Sequence, residues 1–115
     1  MSPSDRAFSS GVTTPRDPLG LLEGRWILQI LLRLKDNDLR FSDLRAALPA
    51  ISANVLAQRM RDLEAAGLVR RLYLPPPAAS QVYALAPSAD SLRPALEYLA
   101  HWRARHRARA HQEPA

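Results

Sequence analysis

SANVLAQRMRDLEAAGLVRR, residues 52–71, decides the fold. The stretch reads as an amphipathic helix that stops at a glycine and runs directly into a strand. Ser52 is a suitable N-cap, because its hydroxyl can accept from the free backbone N–H groups of the first turn. Leu56, Met60 and Leu63 recur at helical spacing and, at about 100° per residue, share one stripe. Gly67 supplies the left-handed residue that closes a helix. Asn54, Gln58 and Arg61 gather on the opposite side, with Ala57 at the edge leaving room for close approach. A face of Asn, Gln and Arg among small residues suits base edges in a major groove, where Arg pairs with guanine and Asn or Gln with adenine. The plainer reading is a solvated helix face, and the surrounding sequence decides between them.

Upstream, Asp17-Pro18 reads as an N-cap followed by proline at the first helical position, opening a short helix over 19–23 that closes at Gly24. Residues 25–35 form the next helix. Trp26, Ile27, Leu28, Ile30, Leu31, Leu32 and Leu34 make it apolar nearly all round, as expected of a helix central to a core or shared with a second subunit. Asp36-Asn37-Asp38 is a turn, and Leu39-Arg40-Phe41 a brief strand. Ser42 is read as the N-cap of a further short helix over 43–48, ended by Pro49. Two short helices joined by a tight turn, the second with a polar face, form a helix-turn-helix.

Downstream, residues 68–74 have strand composition, 75–80 break it, and Gln81-Val82-Tyr83-Ala84-Leu85 alternates as a second strand. Strand, loop and strand behind such a helix make a wing. From Pro87 a long terminal helix lines Leu92, Ala95, Leu96, Leu99 and Trp102 on one face, with a kink or late start near Pro94. After Trp102 no apolar stripe remains, so the helix end is expected to fray into a tail. The expected class is mainly α, an α+β winged helix-turn-helix. It comprises a three-helix core, a two- to three-stranded wing sheet and a long C-terminal dimerisation helix. The domain spans 15–104, between a flexible N-terminal arm at 1–14 and a basic tail at 105–115.

The chain's 115 residues are one domain's worth, and 47% hydrophobic content argues against general disorder. No apolar run approaches the roughly 18 residues of a membrane span. MSPSDRAFSSGVTTPRD has no apolar core of the signal-peptide type, and a cytoplasmic location is expected. Without cysteine there is no disulfide, thiolate metal site or thiol switch. The net charge of +5 is carried almost wholly by arginine and favours a polyanionic partner, nucleic acid ahead of a membrane surface. A GC-rich genome would raise arginine content equally well.

These stretches resemble the HxlR family of bacterial winged-helix transcription regulators, relatives of the MarR group. LGLLEGRWILQILLRL, RFSDLRAALPAISANVLAQRMRDLEAAGLVRR, VYALAP and SLRPALEYLAHW carry the likeness, notably Gly24-Arg25-Trp26, Arg40-Phe41-Ser42, Ile51-Ser52 and Gln58-Arg59. The resemblance implies a homodimer, held by the N-terminal helices and the long C-terminal helix, that binds a pseudo-palindromic operator in double-stranded DNA. Leu19, Leu22, Trp26, Leu96, Leu99 and Trp102 are the expected interface. Any regulation would come from a non-covalent small-molecule effector of unspecified chemistry. Three departures stand out. The family's common Cys-Pro pair falls at Thr13-Thr14, so thiol sensing is excluded. Its wing arginine falls near Ser80, leaving this wing uncharged and unable to exploit a narrow minor groove. Asn54 stands where the family often has Lys.

Ala53, Asn54, Ala57, Gln58 and Arg61 are therefore expected in the major groove. Ser52 is chiefly a cap, though phosphates also dock where a recognition helix starts. Arg59 lies only about 60° from the apolar stripe, so an ion pair with a neighbouring carboxylate competes with DNA contact. Arg40, Ser42 and Arg45 are candidates at the front of the motif, the arginines for backbone phosphates. Arg70 and Arg71 alternate on a strand, so at most one reaches DNA. His101, His106 and His111 rotate by about 140° at each step and share no face, so no metal site is expected. The arginines at 103, 105, 107 and 109 read as a solvated tail, or as a diffuse attraction to phosphates. Trp26, Tyr98 and Trp102 pack the core and interface or line an effector pocket. No catalytic constellation and no cofactor motif is present, so the chain reads as no enzyme. The alternative to a sequence-specific regulator is a winged-helix assembly module that has lost operator recognition.

Overall fold

The computed structural model describes residues 17–112. The N-terminal arm at 1–14, with Thr13-Thr14, and the last residues of the tail lie outside them. Asp17 caps α1 (Pro18–Leu22), its carboxylate accepting from the Leu19 amide at 3.0 Å, with Pro18 at the first position as its fixed φ favours. The chain then turns through Gly24, where a β-carbon would lie 3.2 Å from the Leu21 carbonyl oxygen. That close approach accounts for the glycine. The helix expected from Arg25 begins two residues later, as α2 (Ile27–Leu34), because Trp26 takes a left-handed backbone with φ 76° and stands outside it as the cap. Ile27, Ile30, Leu31 and Leu34 of α2 are buried, while Leu28 is exposed.

Ser42 is not the cap of the next helix. It lies exposed in the first turn of α3 (Phe41–Ala47), and Arg40 holds the cap position instead. Asp43 reaches back to the Arg40 backbone N–H at 2.9 Å, half of a capping box, and Phe41 packs against the core. The brief strand expected at 39–41 is therefore a single pairing, Leu39 with Tyr83, before α3 begins. Buried Ile51 pins the turn into α4 (Ala53–Ala65). Ser52 caps α4, accepting from the Val55 amide at 3.2 Å, and Gly67, at φ 78°, ends it. Leu56, Met60 and Leu63 are buried with the α2 residues and Leu44, so the stripe read from the sequence is one wall of a common core.

Strands β1 (Val69–Tyr73) and β2 (Gln81–Leu85) pair antiparallel, from Val69 opposite Leu85 to Tyr73 opposite Gln81. Leu39 exchanges both backbone hydrogen bonds with Tyr83, at 3.0 and 2.7 Å, so β2 has a neighbour on each side. Its burial is continuous from Val82 to Leu85, where alternation was expected. A 3-10 segment (Pro87–Leu92) then leads into α5 (Arg93–Gln112). Its start at Arg93 agrees with the late beginning expected near Pro94, which sits in the first turn where a missing N–H costs nothing. Arg93 ties α5 to α2 by donating to the Lys35 carbonyl. The stretch expected to fray beyond His101 is helical through Gln112 and exposed from Ala104 to Ala108 and at Arg109. Alternating Ala and Arg have high helix propensity, which favours continued winding here.

Candidate nucleic-acid interface

α3 and α4, joined through Ile51, form the helix-turn-helix, and α4 turns Asn54, Val55 and Arg61 outward. Ala53 and Ala57 are half-buried between them. Gln58 shares this face but is not idle: its Nε2 donates to Asp62 Oδ1 at 2.9 Å, and its Oε1 accepts from Arg61 Nη2 at 2.9 Å. Arg61, Gln58 and Asp62 thus form a chain of hydrogen bonds along the helix. It holds an exposed guanidinium on a half-buried amide, which is itself held by a carboxylate whose side chain is 12% exposed. Arg61 keeps Nε and Nη1 for an outside acceptor. Gln58 has both ends engaged and would surrender two hydrogen bonds to read a base.

Asp62 also takes Arg59, whose Nη1 lies 2.8 Å from its Oδ2. The ion pair foreseen for Arg59 is present in the free chain. Arg40 is engaged by Asp43 through Nε and Nη2, each at 3.2 Å. The Arg40 side-chain hydrogen bond, followed by that from the Arg40 backbone, holds the Asp43 carboxyl below the usual aspartate range. Ser42 and Arg45 are exposed on α3. Arg71 turns back to Glu64 of α4, at 2.7 Å, bracing the wing on that helix. Arg70 is exposed and has no carboxylate partner among the described residues. The wing tip, residues 75–79, is exposed and uncharged.

The expected interface residues separate into two groups. Leu96 is 2% exposed and belongs to the chain's own core, so it has little to offer a partner. Leu19, Leu99 and Trp102 are exposed, at 59%, 37% and 48%, and Leu22 and Trp26 are half-buried. A groove of about 650 Å³ brings Leu19, Leu22, Trp26, Leu28 and Leu99 together, and Trp102 lies one turn beyond Leu99. Sequence reasoning missed two residues. Asp62 is the hub of α4, and its signal was the i, i+3 and i, i+4 spacing to Arg59 and Gln58. Arg25 lines a cavity with Ser52 and Val55 at the start of α4, next to the left-handed Trp26 that the sequence did not foretell.

The HxlR-like helix-turn-helix family model matches residues 21–111. The chain belongs to this family. YvaP, an HTH-type transcriptional regulator of Bacillus subtilis, is 34% identical over 82 residues, covering 71% of this chain and 76% of YvaP. YtfH, an HTH-type transcriptional regulator of Escherichia coli, is 32% identical over 87 residues, covering 76% of this chain and 69% of YtfH. The solved structure of the transcriptional regulator YodB from B. subtilis, in its reduced form, superposes with a TM-score of 0.63 at 29% identity. That superposition covers 89% of this chain and 90% of YodB. The HxlR-like family is one of transcriptional regulators and not of enzymes, and this HxlR-like chain carries its DNA-binding fold. Among the described residues no helix is long and apolar enough to cross a membrane.

Proposed function

We propose that this HxlR-like chain is a homodimeric, sequence-specific DNA-binding transcriptional regulator acting in the cytoplasm. Each subunit lays α4 in a major groove of a pseudo-palindromic operator. The observation that carries the reading is the Arg61–Gln58–Asp62 chain, which preorganises a guanidinium on the exposed face of a capped recognition helix. Arg61 is the base reader, with the bidentate geometry that suits guanine, and Asn54 stands beside it. Gln58 positions Arg61. Arg45 and Ser42 approach the backbone from α3, and Arg40 does so only if it leaves Asp43.

The apolar groove of α1, α2 and α5 supports dimerisation, since exposed leucines and a tryptophan in one band suit an association surface. Two recognition helices related by a two-fold axis need half-sites about one or two helical turns apart.

Selection from random duplexes at moderate salt, comparing wild type with Arg61→Ala, tests the proposal. A two-fold symmetric site recovered by wild type and lost in Arg61→Ala is expected. The uncharged wing keeps a second reading, a protein-assembly module, in play. An assembly module recovers no sequence, and its association barely responds to salt, whereas DNA affinity falls steeply as salt rises.

A further inference from the structure

The turn between α1 and α2 carries a feature that base reading by α4 does not use. Trp26 adopts φ 76°, a conformation uncommon for a residue with a β-carbon. Holding it there brings the Arg25 guanidinium over the Trp26 ring, 5.3 Å from its centroid. This pair faces the start of α4 across a cavity of about 380 Å³, whose wall also includes Ser52, Val55 and Arg59.

The charges around this cavity do not balance. Arg25 is exposed and has no carboxylate partner among the described residues. Arg59 shares Asp62 through Nη1, while its Nε is buried with no hydrogen-bond partner. Two guanidinium groups are thus offset by one carboxylate among the described residues. Trp26 and Val55 contribute the apolar part of its wall. Guanidinium pairs present planar sets of donors that fit tetrahedral oxyanions through two bonds at once. The amides of the first turn of α4 add positive potential at the same end.

We propose that the cavity between Arg25 and Arg59 is an oxyanion site that takes a backbone phosphate of the bound duplex, beside the major groove that α4 enters. This rests on the DNA-binding reading and adds a residue to it. Arg25 is a phosphate-contacting residue, and Trp26 is the positioning residue that holds it. Such a contact fixes register without reading sequence, so its loss weakens every duplex alike.

The test measures affinity by fluorescence anisotropy between 50 and 200 mM KCl on the selected site and on a scrambled duplex. Arg25→Gln is expected to weaken both about tenfold and to flatten the slope of log affinity against log salt by about 0.9 per subunit. Arg25→Lys restores the slope but only part of the affinity, because an ammonium cannot bind in a planar, two-bonded way. An unchanged slope in Arg25→Gln, with its thermal unfolding midpoint also unchanged, overturns the site. Isothermal titration with inorganic phosphate separates the source of the anion. Saturable binding that Arg25→Gln abolishes, together with an unchanged DNA salt slope, assigns the cavity to a free oxyanion and overturns the DNA contact. A wild-type chain that binds no duplex at any salt concentration defeats the regulator reading and this site together. Loss of the Arg25 effect alone leaves the regulator reading standing.

Discussion

Asp62 accepts from the Gln58 amide at 2.9 Å, one helical turn along α4, and so fixes which end of that amide faces Arg61. On the proposed reading of α4, a half-buried carboxylate on the helix looks unfavourable, because it repels phosphates. Its value is in orientation: with Nε2 committed to Asp62, only Oε1 remains to hold Arg61. The same carboxylate neutralises Arg59, which lies nearer the core.

Asp62→Ala should therefore raise affinity for scrambled DNA, by removing a negative charge, while losing discrimination. The ratio of specific to nonspecific affinity is expected to fall roughly five- to tenfold, about 1 kcal/mol of lost preorganisation. Anisotropy on the selected and scrambled duplexes at one salt concentration measures it. A ratio that stays constant, or rises, rules out the positioning role. Gln58→Ala should reproduce the loss of discrimination without the gain in nonspecific affinity.

The α3 cap makes a statement about pH. Asp43 is held below its ordinary pKa by Arg40, so its contribution to stability is complete above the unfolded carboxylate range and is lost as pH falls through the depressed folded value. The Arg40–Asp43 contact should thus persist through mildly acidic pH and open only below it. In Arg40→Ala the Asp43 carboxyl should titrate closer to the usual aspartate range. Carbon-detected NMR titration of the Asp43 side chain reads this directly. Identical midpoints in the two chains would show that Arg40 does not hold the carboxylate.

The sequence made some of this plain and left other parts hidden, for physical reasons. Ser52, Leu56, Met60, Leu63 and Gly67 declare α4 because capping, periodicity and a left-handed stop all act locally. Ser42 misled because a good capping residue lay two residues beyond the position that holds the cap, Arg40. Phe41 gains burial by entering the helix, and Asp43 then caps from inside. Trp26 hid its backbone because propensity favours helix there, and only the packing of the α1–α2 turn overrides it. The strand pattern at 81–85 alternates in polarity, yet Tyr83 and Ala84, on opposite faces, are both buried, and the pairing of Leu39 beside Tyr83 lies outside any local window. The polar face of α4 was legible as a set of positions, but the engagement of Gln58 and Arg59 by Asp62 was not.

Gly67 and Gly24 differ in the reason each is glycine. At Gly67 a β-carbon meets nothing within 4 Å, so Gly67→Ala costs only the strain of φ 78°, about 1 kcal/mol. That lowers the unfolding midpoint by roughly 3–6 °C for a chain of this size. Gly67→Asn, which tolerates the left-handed region better, should lose less. At Gly24 the cost is steric instead, against the Leu21 carbonyl and Ile27. Calorimetry on Gly67→Ala, Gly67→Asn and Gly24→Ala distinguishes the cases. An Asn substitution as damaging as Ala at position 67 would contradict the account.

The last prediction concerns the band that the monomer leaves uncovered. Leu19 and Leu99 face the same groove from α1 and α5, and each is far more exposed than its core neighbours Leu21 and Leu96. Burying a leucine side chain is worth about 1.5–3 kcal/mol, and a two-fold interface counts each substitution twice. Leu19→Glu with Leu99→Glu should therefore leave the fold intact, since neither side chain belongs to the core, and shift the chain to a monomer in sedimentation. The effect on DNA separates the roles of the two surfaces. A monomer keeps Arg61 and its contacts, so affinity for a single half-site should change little. Affinity for the full two-fold site should collapse toward the half-site value, because the second α4 no longer arrives tethered to the first. A double variant that remains dimeric places the interface elsewhere. One that is monomeric yet binds the full site as tightly as wild type removes the need for a dimer in recognition.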